Sequence, residues 1–321
     1  MQCHISNSVF IGNIDPFLAS FDMSDPSQLL ITTHDRWMSV HPVVLTMLAA
    51  KGLTLKKGAV HFDTVTAASA GYFERMRLFD MLGVESGITI TESDPSGRFI
   101  PLTQVRTADE QTRFITDMMP LLHLEPSRAE AIRYVVSELL RNVLEHSSSP
   151  QGAIVAAQYH KKSNIIRLGI TDTGVGIKQT INRSHRAWSD VEAIRLALTP
   201  GVTGTTPREG GTRDNAGAGL FFIKSIAANN RNFFMLYSGD AVYKLLKRPA
   251  HSTIRLYADP SRDRHSEKSN LPYWQGTVVG IDLTLDDTGE FKTLLNAINA
   301  TYSSAVRARK KARYKNARFE P

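Results

Sequence analysis

The chain has 321 residues, of which 42% are hydrophobic and 21% charged, and its formal net charge is +7. These proportions are ordinary for folded proteins and the length suits two domains, so extended disorder and a single small core are excluded. The single cysteine, Cys3, excludes an intrachain disulfide framework and a cysteine-based zinc site. No apolar run reaches the ~20 residues that cross a bilayer and no secretion signal is recognisable, so we expect a cytoplasmic protein.

The first part of the chain alternates short apolar runs with segments of helical periodicity. Residues 29–33 and 59–65 are predicted as strands, and residues 41–50 and 69–82 as helices. This alternation is typical of a small α/β domain. A further strand over 88–91 precedes a Pro/Gly-containing stretch at 94–97, which places the domain boundary near residues 94–106.

The second part opens with a strongly amphipathic helix. Ser127 can cap it, and Glu130 stands at the capping-box spacing. Apolar residues then recur at helical spacing: Ile132, Val135, Val136, Leu139, Leu140, Val143 and Leu144. Predicted strands follow at 153–159, 165–171, 233–237, 242–246, 252–256 and 277–285, with a helix at 220–228. This order indicates an α/β protein whose second part is a two-layer α/β sandwich with a mixed sheet.

Three polar residues share one stripe of the amphipathic helix, since Glu138, Asn142 and His146 stand four residues apart. A carboxylate and an amide one turn apart could orient a water molecule and supply an oxygen to a hard cation such as Mg²⁺. A solvated helix face carries the same residue types, so the helix alone leaves both interpretations open.

A glycine-containing turn follows the predicted strand 165–171. Asp172 stands at its mouth and Gly174 and Gly176 follow, so the backbone can approach a flat ligand without a Cβ atom in the way. The carboxylate could accept a hydrogen bond from an exocyclic amine. Taken alone, the pattern is also that of an ordinary loop between a strand and a helix.

A second glycine cluster ends in Gly217, Gly219 and Leu220, where the next helix begins. Glycines there expose the free N–H groups and positive dipole end of a helix, which favours a phosphate; a flexible linker is the alternative. Neither cluster completes Gly-x-Gly-x-x-Gly, and no Gly-x-x-x-x-Gly-Lys-Ser/Thr occurs. A dinucleotide fingerprint and a P-loop are therefore excluded.

The order of these motifs resembles the GHKL superfamily, which includes the ATPase domains of gyrase, heat-shock chaperones, mismatch-repair proteins and sensor kinases. The resemblance covers about residues 125–286. It rests on Glu138-Leu-Leu-Arg-Asn142, Asp172-x-Gly174-x-Gly176, Gly217-x-Gly219-Leu220 and Gly276-Thr277. It implies a Bergerat-type pocket that binds ATP with Mg²⁺.

The resemblance also implies a role for each matching residue. Asn142 would coordinate magnesium, Asp172 would read the adenine amino group, and Thr277 would support that aspartate. Gly174, Gly176 and Ile177 would together shape the adenine pocket. Gly217, Gly219 and Leu220 would lie at the phosphates. Glu138 matches the position of the catalytic general base. Residues 177–216 would form a mobile lid over the nucleotide.

The first part carries a looser resemblance to STAS domains, the fold of anti-sigma-factor antagonists. It rests on a strand ending at Asp63, followed by Ala68, Ser69, Ala70 and Gly71 before an amphipathic helix. Ser69 falls near the serine that is phosphorylated in those antagonists, although Ala68 replaces the usual aspartate. A generic α/β interaction domain is the alternative.

These observations divide the chain into a STAS-like domain (1–98), a connecting segment (99–126), a GHKL ATP-binding domain (127–286) and a basic helical tail (287–321). We expect a regulatory protein that uses Mg-ATP for signalling or switching, as an anti-sigma-type serine kinase or a slow ATPase. A protein partner would bind the N-terminal domain, and the sequence leaves open whether the chain forms a homodimer. The alternatives are a non-catalytic interaction module with a structural nucleotide and a nucleic-acid-associated ATPase.

The basic charge is concentrated in the tail. Seven basic residues and no acidic ones lie between Arg307 and Arg318, and their number equals the formal net charge of +7. The rest of the chain is therefore neutral. Such a run is more often a solvated helical end than a specific surface, so nucleic acid is the less favoured partner.

Overall fold

The computed structural model describes residues 1–63, 65, 70–88, 99–118, 120, 123–124, 126–208, 210, 218–249, 251–284 and 291–315. Five short strands lie in the first 62 residues: β1 (Gln2–Ile5), β2 (Ser8–Val9), β3 (Leu29–Thr33), β4 (Ser39–Val40) and β5 (Val60–Phe62). Seven more strands follow: β6 (Phe99–Val105), β7 (Ala153–His160), β8 (Ile165–Thr171), β9 (Phe234–Gly239), β10 (Ala241–Leu245), β11 (His265–Lys268) and β12 (Trp274–Thr284).

The described α-helices are distributed over the whole chain, and together with the strands they confirm an α/β fold. Four lie in the N-terminal part: α1 (Asp15–Ala19), α2 (Pro42–Gly52), α3 (Gly71–Arg75) and α4 (Leu78–Leu82). Six follow: α5 (Ala108–Arg113), α6 (Pro126–Asn142), α7 (Gly176–Ile181), α8 (Asp190–Ala197), α9 (Gly219–Asn229) and α10 (Phe291–Lys315).

A seven-stranded sheet forms the centre of the molecule, in the order β11-β10-β9-β12-β8-β7-β6. All its described strand pairs are antiparallel, so the expectation of a mixed sheet is wrong in this detail. Short links explain two of these pairs, since Asp240 alone separates β9 from β10 and residues 161–164 join β7 to β8. Among the described residues, parallel pairing is confined to the small sheets β1-β3-β5 and β2-β4.

One face of the large sheet is covered by α6, α8 and α9, which share a single hydrophobic cluster with it. Helix α6 and the turn that follows it bury most of the stripe that the periodicity predicts: Ile132, Val135, Val136, Leu139, Leu140 and Val143. The last residue of the predicted stripe, Leu144, is only partly buried. The helix begins at Pro126, so Ser127 lies in its first turn and not at the expected N-cap. Its end widens into a π-type turn at Val143–Ser147, which leads towards β7.

The opposite face of the large sheet is covered by the N-terminal part of the chain. Helix α2 is buried along its whole length and packs on β7 and β8, within a cluster that also includes β1 and β3. At Gly169 of β8 a Cβ atom would lie under 3.0 Å from backbone atoms of Val43, so this glycine permits the close approach. His41 caps α2 through the Val43 N–H, and its Nε2 lies 3.1 Å from Asp282 Oδ1 on β12.

The predicted N-terminal elements agree with the structure except in length and continuity. Strand β3 has the expected bounds, α2 ends two residues later than expected, and β5 covers only residues 60–62 of the predicted strand 59–65. The helix expected over 69–82 is broken into α3 and α4 because Arg77 adopts φ +60°. Ser69 and most of the strand expected over 88–91 lie outside the described residues.

Two expectations about the large sheet need correction. The segment 99–126 is not only a connection, because β6 pairs with β7 and forms one edge of the sheet. The strand expected over 252–256 is absent; the final strand before β12 is β11, which pairs with β10. Polar residues fill β11, His-Ser-Glu-Lys, so apolar patterning could not reveal this edge strand.

The C-terminal helix α10 docks on the body of the protein along one side, while Arg307 and Lys311 of its basic run are exposed. Ile298 and Val306 are buried, and Tyr302 packs against Phe221 and Phe222 of α9. Arg309 donates a hydrogen bond to the carbonyl of Pro200. No helix among the described residues has the length and apolar character needed to span a membrane.

Candidate functional site

The motif residues come together in a cavity of about 280 Å³ between the large sheet and the helices on its face. Helix α6 supplies Glu138 and Asn142, and Asp172 follows the end of β8. The other predicted residues on the cavity wall are Gly176, Ile177, Gly219, Leu220 and Thr277. Residues more than a hundred positions apart in the chain therefore share one wall.

Two predicted residues are not part of the described cavity wall. Gly174 lies behind the wall, where a Cβ atom would collide with the carbonyl of Ser147. The neighbouring Val175 N–H donates to the same carbonyl at 2.7 Å, which ties the Asp172 turn to the end of the α6 segment. Gly174 therefore supports the turn from outside, and Gly217 lies outside the described residues.

Asp172 is the buried carboxyl group of the cavity, with 2% of its surface exposed. Its Oδ1 accepts the N–H of Gly174 at 2.8 Å, and its own N–H donates to the carbonyl of Thr277 at 2.9 Å. Burial raises the pKa of Asp172 to about 7, although hydrogen bonds from Gly174 and Thr277 oppose this shift. A carboxyl group that is desolvated at a cavity wall is poised to gain from a hydrogen-bond donor on a ligand.

The segment Trp274–Thr277 holds the Asp172 turn from the side of β12. The pairing of β12 with β9 shifts register here, which frees the segment to approach residues 172–174. Trp274 Nε1 donates to the carbonyl of Asp172 at 3.2 Å, and Gln275 Nε2 donates to the carbonyl of Gly174. Gly276 adopts φ +104° beside the Asp172 carbonyl, where a Cβ atom would collide.

Ser238 fixes the second glycine of the turn. Its hydroxyl donates to the carbonyl of Gly276 at 2.6 Å and accepts the N–H of Ile177 at 3.0 Å. Gly176 has φ +79° and packs against this hydroxyl, so a side chain at position 176 would be strained. The start of α7 is thereby attached to both β9 and β12.

The N-terminus of α9 forms another part of the cavity wall, next to α6. A Cβ atom at Gly219 would lie 2.9 Å from Glu138 Oε2 and 3.5 Å from Asn142 Nδ2, so a glycine lets α9 approach the polar stripe of α6. Among the described residues no side-chain oxygen caps the helix at Ala218, and Ala218, Gly219 and Leu220 line the cavity. A helix N-terminus of this kind can bind an anion.

Glu138 and Asn142 carry the chemistry of the α6 stripe. Burial raises the pKa of Glu138, and the neighbouring Arg141, whose Nη2 lies 2.8 Å from Glu138 Oε2, opposes the shift. Asn142 Nδ2 is buried and has no hydrogen-bond partner among the described residues. An unpaired buried amide on a cavity wall is a group that a ligand can satisfy.

Part of the segment expected to form a lid, residues 177–216, packs on the body of the protein. Helices α7 and α8 bury Ile177, Ile181, Ala193 and Ile194 in the main cluster. Val202, Thr203 and Gly204 line the cavity, so this part contributes to its wall. Residues 209 and 211–217 lie outside the described part.

Several wall residues were missed by the sequence reasoning, among them Tyr134, Ser147 and Thr180. Tyr134 stands one turn before Glu138, so extending the stripe by one turn towards the start of the helix would have found it. His146, which the stripe already includes, also lies on the wall. No local pattern pointed to Val202–Gly204, because only the folded chain brings them to the site.

A comparison with protein-family models decides the type of domain. The model of the histidine kinase-like ATPase domain matches residues 102–230. These residues are a GHKL-type ATPase domain. The match begins at residue 102, inside β6, which agrees with the pairing of that strand in the large sheet. A search of curated proteins found no match to the chain.

The matched range of the histidine kinase-like ATPase domain contains α6, β7, β8 and α9. It therefore includes Glu138, Asn142, Asp172 and Gly219, and it ends before β9. Strands β9, β10, β11 and β12 complete the same sheet, and β12 adds Thr277 to the cavity wall. The STAS-like interpretation of the N-terminal part remains a hypothesis.

The ATPase domain is expected to bind nucleotide more weakly at low pH. An ionised Asp172 accepts an N–H better than a protonated one, and its pKa is about 7. The dissociation constant should therefore be about tenfold larger at pH 6 than at pH 8, as measured by calorimetry at constant ionic strength. A dissociation constant that does not change between pH 6 and pH 8 would contradict a role for Asp172 as the acceptor of a hydrogen bond from the nucleotide.

The raised pKa of Asp172 also predicts how the stability of the unliganded protein depends on pH, and this dependence is the control for the binding measurement. The folded state binds the Asp172 proton more tightly than the unfolded chain, so this group's contribution to stability is lost as the pH rises from about 4 to about 7. Asp172→Asn should remove that loss. Denaturant unfolding at several pH values without nucleotide compares the two proteins.

Proposed function

We propose that the chain binds Mg-ATP in this cavity and uses the nucleotide for signalling or switching. The observation that carries the proposal is the meeting of eight motif residues on one cavity wall, with a buried acceptor and a helix N-terminus in the same wall. A purine amine and a phosphate chain match these two groups. The histidine kinase-like ATPase match supports the same ligand.

In the proposed complex the adenine lies against the Asp172 turn. The Asp172 carboxylate would accept the adenine amino group, and Thr277 would hold that carboxylate through its own hydrogen bonds. Gly176 and Ile177 would form the surface beside the base, and Gly174 would keep the turn in place. Gly217, Gly219 and Leu220 would lie at the phosphates, where the free N–H groups of α9 can bind them.

The residues near Gly219 fit a magnesium ion. Asn142 would hold the ion through its amide oxygen, and the carboxylate of Glu138 lies on the same stripe. Mg²⁺ prefers oxygen ligands and commonly takes only one or two from the protein, with phosphates and water completing the set. When bound, it would neutralise phosphate charge; the protein's own part is to orient the phosphates and exclude water.

The fate of the nucleotide depends on Glu138. A half-buried carboxylate with a raised pKa is suited to accept a proton from an attacking hydroxyl or water. The chain would act as an anti-sigma-type serine kinase or as a slow ATPase. These two activities differ only in what accepts the γ-phosphate, a protein hydroxyl or water. Incubation with ATP labelled at the γ-phosphate distinguishes them, because a kinase transfers the label to a protein and an ATPase releases it as free phosphate.

Glu138→Gln is expected to slow turnover by at least about a hundredfold while ATP affinity changes little, because the amide cannot act as a base. Release or transfer of labelled phosphate measures turnover, and calorimetry measures affinity. Glu130→Gln, an exposed site on the same helix, is the matched control and should behave as wild type. Equal turnover in both variants would favour the non-catalytic module, in which the nucleotide is a structural ligand.

A further inference from the structure

Trp274 joins two parts of the molecule that the proposed function treats separately. Its indole is 2% exposed and lies behind the Asp172 turn, outside the cavity wall. Its Nε1 donates to the Asp172 carbonyl at 3.2 Å. Because the Asp172 N–H is bonded to Thr277, both backbone polar groups of Asp172 are held by the segment Trp274–Thr277.

The other side of the Trp274 ring faces the N-terminal part of the chain. The ring of Phe21 meets it edge-on at 6.2 Å, and the ammonium group of Lys51 lies 4.8 Å from its centroid. Lys51 is buried at the end of α2, and burial lowers its pKa. Among the described residues no carboxylate forms an ion pair with this ammonium group, which lies over the indole face instead.

Helix α2 also contacts the residue that precedes Asp172. Thr46 Oγ1 lies 2.8 Å from Thr171 Oγ1, and both hydroxyls are buried. Thr46 and Lys51 therefore place the same helix against Thr171 on one side and against Trp274 on the other. A small movement of α2 must shift the backbone on which the Asp172 carboxyl group is mounted, since both contacts lie in a packed core.

We propose that Trp274 is a positioning residue through which α2 sets how tightly and how selectively the Asp172 turn binds adenine. This inference rests on the proposed function and extends it. The indole N–H fixes the peptide group that follows Asp172, and the indole ring contacts Phe21 and Lys51 in the N-terminal part of the chain. A ligand or protein that shifts α2 therefore changes nucleotide affinity without entering the cavity.

The first test replaces Trp274 with phenylalanine, which keeps an aromatic ring and removes the N–H. Loss of one buried hydrogen bond is expected to weaken ATP binding by about fivefold and to reduce the preference for ATP over GTP. A merely structural role would lower the melting temperature and leave the ATP-to-GTP ratio of dissociation constants unchanged. Trp188→Phe is the matched control, because Trp188 is 69% exposed.

The second test uses tryptophan emission and does not require a variant of Trp274. The chain has three tryptophans, and Trp37 and Trp188 are exposed at 57% and 69%, so their replacement by phenylalanine leaves Trp274 as the single tryptophan. ATP titration of this double variant should change the emission although Trp274 does not line the cavity. In the same background, Lys51→Met should alter the nucleotide affinity and the amplitude of the change.

The outcomes separate this inference from the proposed function. If the wild-type protein binds no ATP, the proposed function fails. If ATP binds but Trp274→Phe keeps the wild-type ATP-to-GTP ratio and the Trp274 emission does not respond, the positioning role is overturned and the ATP site stands. A changed ratio together with a nucleotide-dependent emission supports the role.

Discussion

Replacing Asp172 with asparagine is expected to weaken ATP binding by at least about a hundredfold, equivalent to about 3 kcal/mol. Asparagine has nearly the same shape but places an N–H₂ group where the carboxylate would accept the adenine amine. The site then has one donor too many and one acceptor too few, and unpaired buried groups discriminate strongly. Calorimetric titration with Mg-ATP measures the loss.

The control for this prediction must show that the variant is folded. Asp172→Asn keeps the side-chain volume, so its far-UV circular dichroism should match wild type. Asp109→Asn, an exposed site in α5 of the same domain, should bind ATP normally. Wild-type affinity in Asp172→Asn would show that the cavity does not read a base through this residue.

The second large effect concerns stability. Gly169→Ala is expected to destabilise the protein by about 3 kcal/mol, because the added Cβ atom would lie under 3.0 Å from the backbone of Val43 and push α2 away from the sheet. Backbone atoms cannot move aside as a side-chain end can. Urea denaturation followed by circular dichroism measures the change in the free energy of unfolding.

Gly280→Ala is the matched control for Gly169→Ala, because Gly280 lies directly opposite Gly169 in the β8–β12 pair. The nearest atoms to its added Cβ atom would be side-chain atoms, Ile11 Cδ1 at 3.3 Å and Val43 Cβ at 3.4 Å. We expect a loss below about 1 kcal/mol. Equal effects of the two substitutions would contradict the packing of α2 on this face.

The sequence predicted those parts of the fold that follow from local periodicity. The apolar stripe of α6 was visible because its residues recur at the helical period, and the strands β3, β7 and β8 were visible as short runs rich in apolar residues. The polar strand β11 and the left-handed residue Arg77 gave no such signal. The packing of α2 against β8 could not be predicted either, because the close contact between Gly169 and the backbone of Val43 exists only in the folded chain.

The candidate site was predictable where its groups belong to motifs. Glu138, Asn142, Asp172 and Gly219 were found because glycine turns and a helix stripe restrict the residue types that fit. Trp274, Gln275 and Ser238 were not found, because they act on the Asp172 turn from other strands. The helices α7 and α8 were missed because the segment 177–216 is rich in Gly, Thr and Pro and therefore resembles a loop, although both helices bury apolar side chains.

The most direct test of the central claim is calorimetric titration of the wild-type chain with Mg-ATP. We predict one nucleotide per chain with a dissociation constant in the micromolar range or weaker, competition by ADP, and a clear preference over GTP. The same titration without Mg²⁺ should show weaker binding. Undetectable binding of ATP by the intact wild-type protein would contradict the account.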